Sequence, residues 1–294
     1  MNTKDTLSEK ELRQFYKLKH SLYIFANKKI NVLKHTNNWK DVEKNTSEEI
    51  MKIRNHIFLK EISIIDEYVQ LNPNNLIEEE LEILLNWKKA IICKKAILFK
   101  HTNEHSLFLV KNNVYAITGL MDSFKEIFDN YTPVLIDLII LPFKNKLVHE
   151  GLFMPYNISF GKSIRDSMNA EGEELILKKG IITSLDNENH QNKVSDEDLL
   201  RFYMKSESNQ DRFFEKIDEL KNKSKELKSI YNYEIGRINS RHIKKQLKNQ
   251  DIKGHFAILY SQVIASGSTK KELEINLRRI ISKEREKEVY FIKI

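Results

Sequence analysis

The spacing of apolar residues changes near residue 105 of this 294-residue chain, and this change restricts the fold more than any other feature. Before that point, apolar residues recur every three or four positions, as on one face of a helix. Beyond it, Leu107 to Val110 and Val114 to Thr118 are short apolar runs on either side of a Lys-Asn-Asn turn, which predicts a β-hairpin. Helical and strand periods in successive blocks predict an α+β fold.

Residues 1–103 are predicted to form a helical N-terminal subdomain of three helices. Each helix starts with Ser, Thr or Asn followed three residues later by Glu, which is a capping pattern. The three pairs are Ser8 and Glu11, Thr46 and Glu49, and Asn75 and Glu78. The second helix is expected to end at Asn72-Pro73. The third is expected to continue through Ile91 and Ile92, because its apolar residues keep helical spacing that far.

Residues 104–185 are predicted to form a central, mostly antiparallel sheet with helices. Two further strands are expected at Pro133 to Leu141 and at Leu147 to Phe153. A helix should follow from Gly161 to Lys179, and Ile181-Ile182 should begin one more strand. Residues 186–198 lack apolar periodicity and are the predicted linker.

Residues 199–252 are predicted to form a basic helical arm of one or two long helices, with Gly236 as the expected interruption. Residues 253–294 then show two short apolar runs, a Thr269-x-x-Glu272 helix start and a last apolar run from Val289 to Ile294. This order predicts a small ββαβ unit at the carboxyl end.

Membrane insertion and disulfide chemistry are not expected. The longest apolar run, Pro133 to Phe143, contains Asp137 and is shorter than the ~20 residues of a membrane-spanning helix. Residues 1–15 are charged and lack the apolar core of a signal peptide, so a cytoplasmic location is expected. Cys93 is the single cysteine, which excludes an internal disulfide and a cysteine-based zinc site. No metal ion and no cofactor is predicted.

Residues 221–253 contain ten Lys or Arg residues against three carboxylates, an excess equal to the formal net charge of +7 of the whole chain. Apolar residues at helical spacing make this segment a predicted basic amphipathic helix. An AT-rich genome would also favour Lys over Arg without any such function. DNA or RNA is the predicted partner, contacted through its phosphates. The predicted contact residues are Lys221, Lys225, Lys228, Arg237, Arg241, Lys244, Lys245 and Lys248, with Tyr233 as an exposed ring for base stacking.

One enzymatic alternative is a ribonuclease. Arg237 and His242 have the R-x4-H spacing of a large class of helical ribonucleases, whose two side chains project towards the scissile phosphate. Chance alone gives about one such match in a chain with this many Arg and His residues. The spacing therefore has little specificity.

A second enzymatic alternative is a hydrolase with a pocket near His149 and Glu150, lined also by Tyr156 and Asn157. Adjacent strand residues point to opposite faces of a sheet. His149 and Glu150 are therefore not expected to converge on one ion.

The middle of the chain resembles an uncharacterised family of bacterial proteins over about residues 10–185. The strings that carry the resemblance are VYAITGL at 114–120, LPFKNKLVHEGL at 141–152 and YNISFG at 156–161, with Arg54-Asn55, Asn72-Pro73 and Trp87-Lys88. The resemblance implies an intact domain and no particular activity. Some members append a Cys-rich zinc module, which a chain with Cys93 alone lacks.

The sequence thus favours a non-enzymatic cytoplasmic binding protein that contacts nucleic-acid phosphates through its basic arm. A further alternative is a self-assembling protein, a homo-oligomer in which the long apolar stripe from Phe213 to Leu247 pairs between chains.

Overall fold

The structure is a computed structural model that describes residues 5–36, 39–42, 44–128, 131–185 and 194–294. The chain forms two compact units, Met1–Asn192 (unit 1) and Lys193–Ile294 (unit 2). Each contains helices and an antiparallel sheet, so the predicted α+β fold is confirmed. Residues 186–193 of the predicted linker lie outside the described residues.

Unit 1 begins with helices. They are α1 (Glu9–Ile30), α2 (Trp39–Val42), α3 (Ser47–Asn55), α4 (Ile64–Leu71) and α5 (Glu78–Asn86). A π-helical turn, His56–Lys60, follows α3, and a 3-10 turn, Trp87–Lys89, follows α5. The second predicted helix is therefore two helices, α3 and α4. The break has no strong sequence signal, because residues 61–63 contain neither Gly nor Pro.

The predicted helix starts at Ser8 and Thr46 are confirmed. The Oγ of Ser8 accepts the Glu11 N–H at 3.4 Å, and the Glu11 carboxylate accepts the Ser8 N–H at 2.9 Å. Thr46 forms the same reciprocal pair at the start of α3. The carboxyl end of α1 is capped by Asn31, which adopts the left-handed conformation and donates its N–H to the carbonyl of Asn27. Each cap satisfies backbone groups that a helix end leaves without partners.

The third predicted helix is shorter than expected, and its end is a strand. α5 stops at Asn86, and Ile91 and Ile92 begin strand β1 (Ile91–His101). A bulge between Cys93 and Ala96 breaks the alternation of side chains along β1, so the strand period is hidden in the sequence. Pairing with a strand on each side decides the conformation of this segment.

β1 is the central strand of a five-stranded sheet. The other strands are β2 (Ser106–Val110), β3 (Asn113–Ile117), β4 (Val134–Phe143) and β5 (Lys146–Pro155). Their order is β3-β2-β1-β4-β5, and all neighbours are antiparallel. The sheet curls until its edges approach, and the Thr118 N–H donates to the carbonyl of Leu147 at 2.8 Å. The four predicted strands are confirmed, and β1 is the strand that was missed.

Apolar cores lie on both faces of the sheet of unit 1. The core shared with the helices contains Phe15, Leu22, Tyr23, Trp87 and Phe143. The second core, on the other side of the sheet, contains Leu98, Phe108, Ile117, Ile136 and Leu138. Each fully buried side chain of this size contributes about 1.5–3 kcal/mol to stability.

Two further helices belong to unit 1. They are α6 (Phe124–Phe128) and α7 (Lys162–Lys179). α7 confirms the predicted helix after Gly161 and packs on β1 and β3. Beyond α7, the predicted strand at Ile181-Ile182 is a single bridge, in which Ile182 exchanges hydrogen bonds with Val114 and Ala116 at 2.9 Å.

Unit 2 consists of helices followed by a three-stranded sheet with one more helix. The helices are α8 (Asp196–Tyr203), α9 (Glu207–Arg212), α10 (Phe214–Lys223), α11 (Lys225–Asn249) and α12 (Lys270–Arg278). The strands are β6 (His255–Leu259), β7 (Gln262–Gly267) and β8 (Tyr290–Lys293), in the order β7-β6-β8, and a 3-10 helix, Lys283–Glu288, precedes β8. The predicted ββαβ unit is confirmed.

The predicted interruption at Gly236 is wrong, because α11 runs through it without a break. α11 packs across β6 and β8, and a Cβ at Gly236 would lie 3.2 Å from the carbonyl oxygen of Ile258 and 3.3 Å from the Cβ of Tyr290. Gly236 therefore allows a close approach of helix and sheet. Its sequence signal resembled a helix break because glycine serves both purposes.

Candidate functional site

α11 has two packed sides. On one side Gly236, Ile243 and Leu247 face the sheet of unit 2. On another side Glu234 and Arg237 bond to α8 and the residues after it. The helix starts at Ser224, whose Oγ accepts the Leu227 N–H at 3.1 Å.

The carboxylate of Glu234 is buried and joins two arginines. Arg201 donates to it at 2.9 Å, and Arg237 donates to its other oxygen. Arg237 also donates to the carbonyl of Met204 at 2.9 Å. Arg237, predicted both as a phosphate contact and as a ribonuclease residue, is therefore used to join α11 to the end of α8.

After Arg237, no hydrogen bond between described residues joins α11 to α8, α9 or α10. The side of α11 that bonds to α8 at Glu234 and Arg237 is exposed after Arg237. This exposed part carries four cations. At about 100° per residue, the four lie within an arc of about 100° that also contains Glu234 and Arg237, and they span about 10 Å along the axis. They are Arg241, Lys244, Lys245 and Lys248, which we call the α11 basic stripe. None of the four forms an ion pair with another described residue.

The other predicted contact residues lie elsewhere. Lys221 belongs to α10 and pairs with Asp218 at 2.6 Å, and this hydrogen bond raises the pKa of Lys221. Lys225 and Lys228 are exposed in the first turn of α11, on a different side of the helix from the stripe. Tyr233 is half-buried and packs edge-on against Tyr290, with 5.5 Å between ring centroids, so its ring is not the exposed platform that the sequence suggested.

The structure does not bring Arg237 and His242 together. Five residues apart on one helix, they project about 140° apart around its axis. Arg237 is held by Glu234, whereas His242 is exposed.

His149 and Glu150 point to opposite faces of β5, as expected. His149 lies among Phe124 and Phe153, at 5.0 and 5.4 Å between ring centroids, and its Nδ1 accepts the Gly151 N–H at 3.2 Å. Burial lowers the pKa of His149 to about 4, which makes the ring neutral at pH 7. A ring that is buried and so weakly basic is poorly suited to proton transfer at pH 7.

Glu150 is the centre of a buried network that joins β5 to α1 and α3. Lys19 lies 3.0 Å from its carboxylate, Tyr23 donates its hydroxyl to the same oxygen, and Arg54 lies 4.0 Å from the other oxygen. Burial raises the pKa of Glu150, but Lys19, Tyr23 and Arg54 outweigh it, so the pKa lies below its usual value. Burial and Glu150 together raise the pKa of Tyr23 well above its usual value.

Sequence reasoning missed this network, although two signals pointed to it. Lys19 follows Phe15 by four residues and precedes Leu22 by three, which places a charge on the apolar face of α1. Arg54-Asn55 and the LVHEGL string carry the family resemblance, and the structure brings them together: Arg54 donates to the Leu152 carbonyl at 3.3 Å.

A cavity of about 400 Å³ lies in unit 1 between the end of α6, the start of β4 and the chain that leaves β5. It contains Tyr156 and Asn157 of the predicted pocket, whereas His149 and Glu150 do not line it. Arg165, in the first turn of α7, completes it. The described lining residues are Phe128, Tyr131, Thr132, Pro133, Val134, Pro155, Tyr156, Asn157, Ile158, Ser159, Phe160 and Arg165.

Three further features limit the chemistry of the described residues. No three of their His, Cys, Asp or Glu side chains converge in a group able to hold a metal ion. Cys93 is buried, and burial raises the pKa of its thiol to about 12, which suppresses thiolate chemistry. Among the described residues, no helix has the length and apolar character needed to cross a bilayer.

Comparison of the chain with protein-family models, with curated proteins and with solved structures finds no match.

Proposed function

We propose that this protein is a non-enzymatic binding protein that contacts nucleic-acid phosphates through the α11 basic stripe. The observation that carries the proposal is the shared exposure of Arg241, Lys244, Lys245 and Lys248 on one side of a helix, without an ion pair to any described residue.

Ion pairing removes part of the arm's charge from the proposed interface. Of the ten cations in residues 221–253, three are paired: Lys221 with Asp218, Lys223 with Asp196, and Arg237 with Glu234. Four of the remaining seven form the α11 basic stripe. A row of unpaired cations about 10 Å long is suited to a few successive backbone phosphates of one strand.

The composition of the stripe predicts weak sequence preference. Three of its four cations are Lys, whose ammonium is a hydrated point charge, and Arg241 is the single guanidinium able to form the paired hydrogen bonds that distinguish bases. We therefore expect affinity to depend on salt far more than on sequence.

The test compares two variants with the same loss of charge. In the first, Arg241, Lys244, Lys245 and Lys248 are all changed to Gln. In the second, four exposed lysines elsewhere in unit 2 are changed to Gln: Lys225, Lys228, Lys271 and Lys283. Binding to a labelled DNA duplex, and to single-stranded RNA of the same length, is measured by fluorescence anisotropy over a salt series.

For wild type, four phosphate contacts predict a slope of about −3.6 in log affinity against log salt on a duplex, or about 100-fold weaker binding at 200 mM than at 50 mM salt. The stripe variant should lose most of the affinity and most of the slope, whereas the control should keep both. Equal losses in the two variants would mean that net charge, and not the stripe, attracts the nucleic acid. No binding by wild type near 50 mM salt would refute the proposal.

The alternatives gain no support from the described geometry. A ribonuclease needs Arg237 and His242 to act on one phosphate, and a hydrolase near His149 and Glu150 needs groups that solvent can reach. Self-assembly, the cytoplasmic location, the bacterial resemblance and the choice between DNA and RNA stay predictions.

A further inference from the structure

The cavity of unit 1 has no part in the proposed nucleic-acid contact, and it combines features of a small-ligand site. Four of its described lining residues are aromatic and two are proline: Phe128, Tyr131, Tyr156, Phe160, Pro133 and Pro155. Its volume of about 400 Å³ lies near the lower end of the range of about 300–1,000 Å³ found for small-molecule sites. This size suits one ring system with a small substituent.

Tyr156 is fixed in the wall of the cavity. Its backbone N–H donates to the carbonyl of Leu135 at 2.8 Å, and its hydroxyl donates to Asp137 at 3.1 Å. Asp137 is held in turn by the backbone N–H of Lys95 at 2.7 Å. Because the hydroxyl already has a partner, Tyr156 offers a ligand mainly the surface of its ring.

Tyr131 stands at the mouth of the cavity and is 81 % exposed. Its ring is large and amphipathic, and it packs against no other described aromatic ring. Stacking against a flat ligand would remove apolar ring surface from water and would use the face of the ring without requiring a new partner for the hydroxyl.

The charged residues that line the cavity indicate which chemical group a bound ligand would carry. Arg165 is exposed and forms no ion pair with another described residue, and no described lining residue carries a carboxylate. A guanidinium binds phosphate or carboxylate through two parallel hydrogen bonds. Asn157, Ser159 and Thr132 add hydrogen-bonding groups for the edge of a ring.

We propose that this cavity binds a small aromatic anion, with the ring stacked on the side chains of Tyr131 and Tyr156 and the anionic group at Arg165. The shared chemistry is one flat ring system linked through a short spacer to one phosphate or carboxylate. A nucleoside monophosphate and an aromatic carboxylate are its two sources. The site lies in unit 1, so it stands or fails independently of the α11 basic stripe.

The experiment titrates the full chain with AMP and with phenylpyruvate, and observes binding by saturation-transfer NMR. Adenosine and inorganic phosphate are the half-ligands of AMP, and pyruvate, which lacks the ring, is the half-ligand of phenylpyruvate. We expect at least one of the aromatic anions to saturate the protein below about 10 mM, and its own half-ligand to bind about tenfold more weakly. AMP alone would identify a nucleotide site, phenylpyruvate alone a carboxylate site, and binding of both would show that the anions are interchangeable.

Two pairs of variants locate the binding. Arg165→Gln should weaken it about tenfold, since a hydrogen bond to a charged group is lost, whereas Arg13→Gln removes the same charge from unit 1 without effect. Tyr131→Ser should weaken it about fivefold, whereas Tyr131→Phe keeps the ring and the affinity. Circular dichroism confirms that each variant is folded.

Three results would overturn the proposal. The first is the absence of saturation by either aromatic anion. The second is inorganic phosphate binding as tightly as AMP, which would indicate a simple anion patch. The third is unchanged affinity in both Arg165→Gln and Tyr131→Ser, which would place the ligand elsewhere.

Discussion

Replacing Glu150 by Gln should strongly destabilise unit 1, because it leaves the ammonium of Lys19 buried without a counter-charge. The two side chains are 0 and 6 % exposed, and the ammonium lies 3.0 Å from the carboxylate. At an effective dielectric constant near 20, two unit charges at this separation attract by about 5.5 kcal/mol. Withdrawing each ion from water costs several kcal/mol, so the intact pair adds little net stability. Removing one partner keeps the cost and loses the attraction.

The expected loss for Glu150→Gln is about 3–5 kcal/mol, the range seen when one member of a buried ion pair is removed. The loss should lower the melting temperature of unit 1 by about 10 °C. Both tryptophans, Trp39 and Trp87, belong to unit 1, so their fluorescence during urea unfolding follows this unit selectively. Trp87 is fully buried in the core beside Phe15, which makes it a sensitive reporter.

Two controls test the electrostatic argument. Glu67→Gln removes the partner of Lys29 from an ion pair that is about 40 % exposed, and it should leave the urea midpoint almost unchanged because water screens that pair. The double variant Lys19→Met with Glu150→Leu removes both charges of the pair and should be more stable than Glu150→Gln, because no unpaired ammonium remains, although Tyr23 and Arg54 still lose their partner. The reasoning is refuted if Glu150→Gln unfolds within about 1 kcal/mol of wild type, or if the double variant is no more stable than the single one.

Two further predictions concern the same region. Folding lowers the pKa of His149 from 6.5 to about 4, so the unfolded chain binds more protons than the folded chain between these pH values. The contribution of His149 to the free energy of unfolding should therefore fall by up to about 3 kcal/mol as the pH drops from 6.5 to 4. His149→Gln should flatten the plot of unfolding free energy against pH in this range, and an unchanged slope would contradict the lowered pKa of His149. Gly151 has a φ of +119°, a backbone conformation that strains any residue with a Cβ, so Gly151→Ala should cost about 1–3 kcal/mol in urea unfolding. The added Cβ would also lie 2.5 Å from the Nζ of Lys19. A neutral effect would contradict the strain assigned to this position.

Local sequence signals predicted much of the fold. The reciprocal caps at Ser8 and Thr46 and the runs around residues 107–118 act over a few residues, so they can be read without knowing the rest of the chain. The missed strand β1 and the continuous helix through Gly236 depend on distant partners. β1 is a strand because β2 and β4 pair with it, and Gly236 lies against β6 because α11 crosses the sheet.

The cavity likewise combines residues that the sequence indicated with residues that only the folded structure brings together. The cavity draws on α6, β4, the chain after β5 and α7, and only the pairing of β4 with β5 places Tyr156 near Tyr131. The sequence did suggest Tyr156 and Asn157 as pocket residues, but it joined them to His149 and Glu150, which the strand directs into two separate cores.

By its order of residues alone, this protein concentrates its excess positive charge in residues 221–253 and gives that segment helical spacing, because composition and periodicity are properties of the chain itself. Which cations remain available is decided partly within the helices and partly by tertiary structure. Helix geometry pairs Lys221 with Asp218 and Arg237 with Glu234, because each carboxylate lies three residues before its partner. Tertiary packing brings Asp196 to Lys223, and it leaves Arg241, Lys244, Lys245 and Lys248 exposed in the last turns of α11. The distances between segments that decide this exist only after the chain has folded.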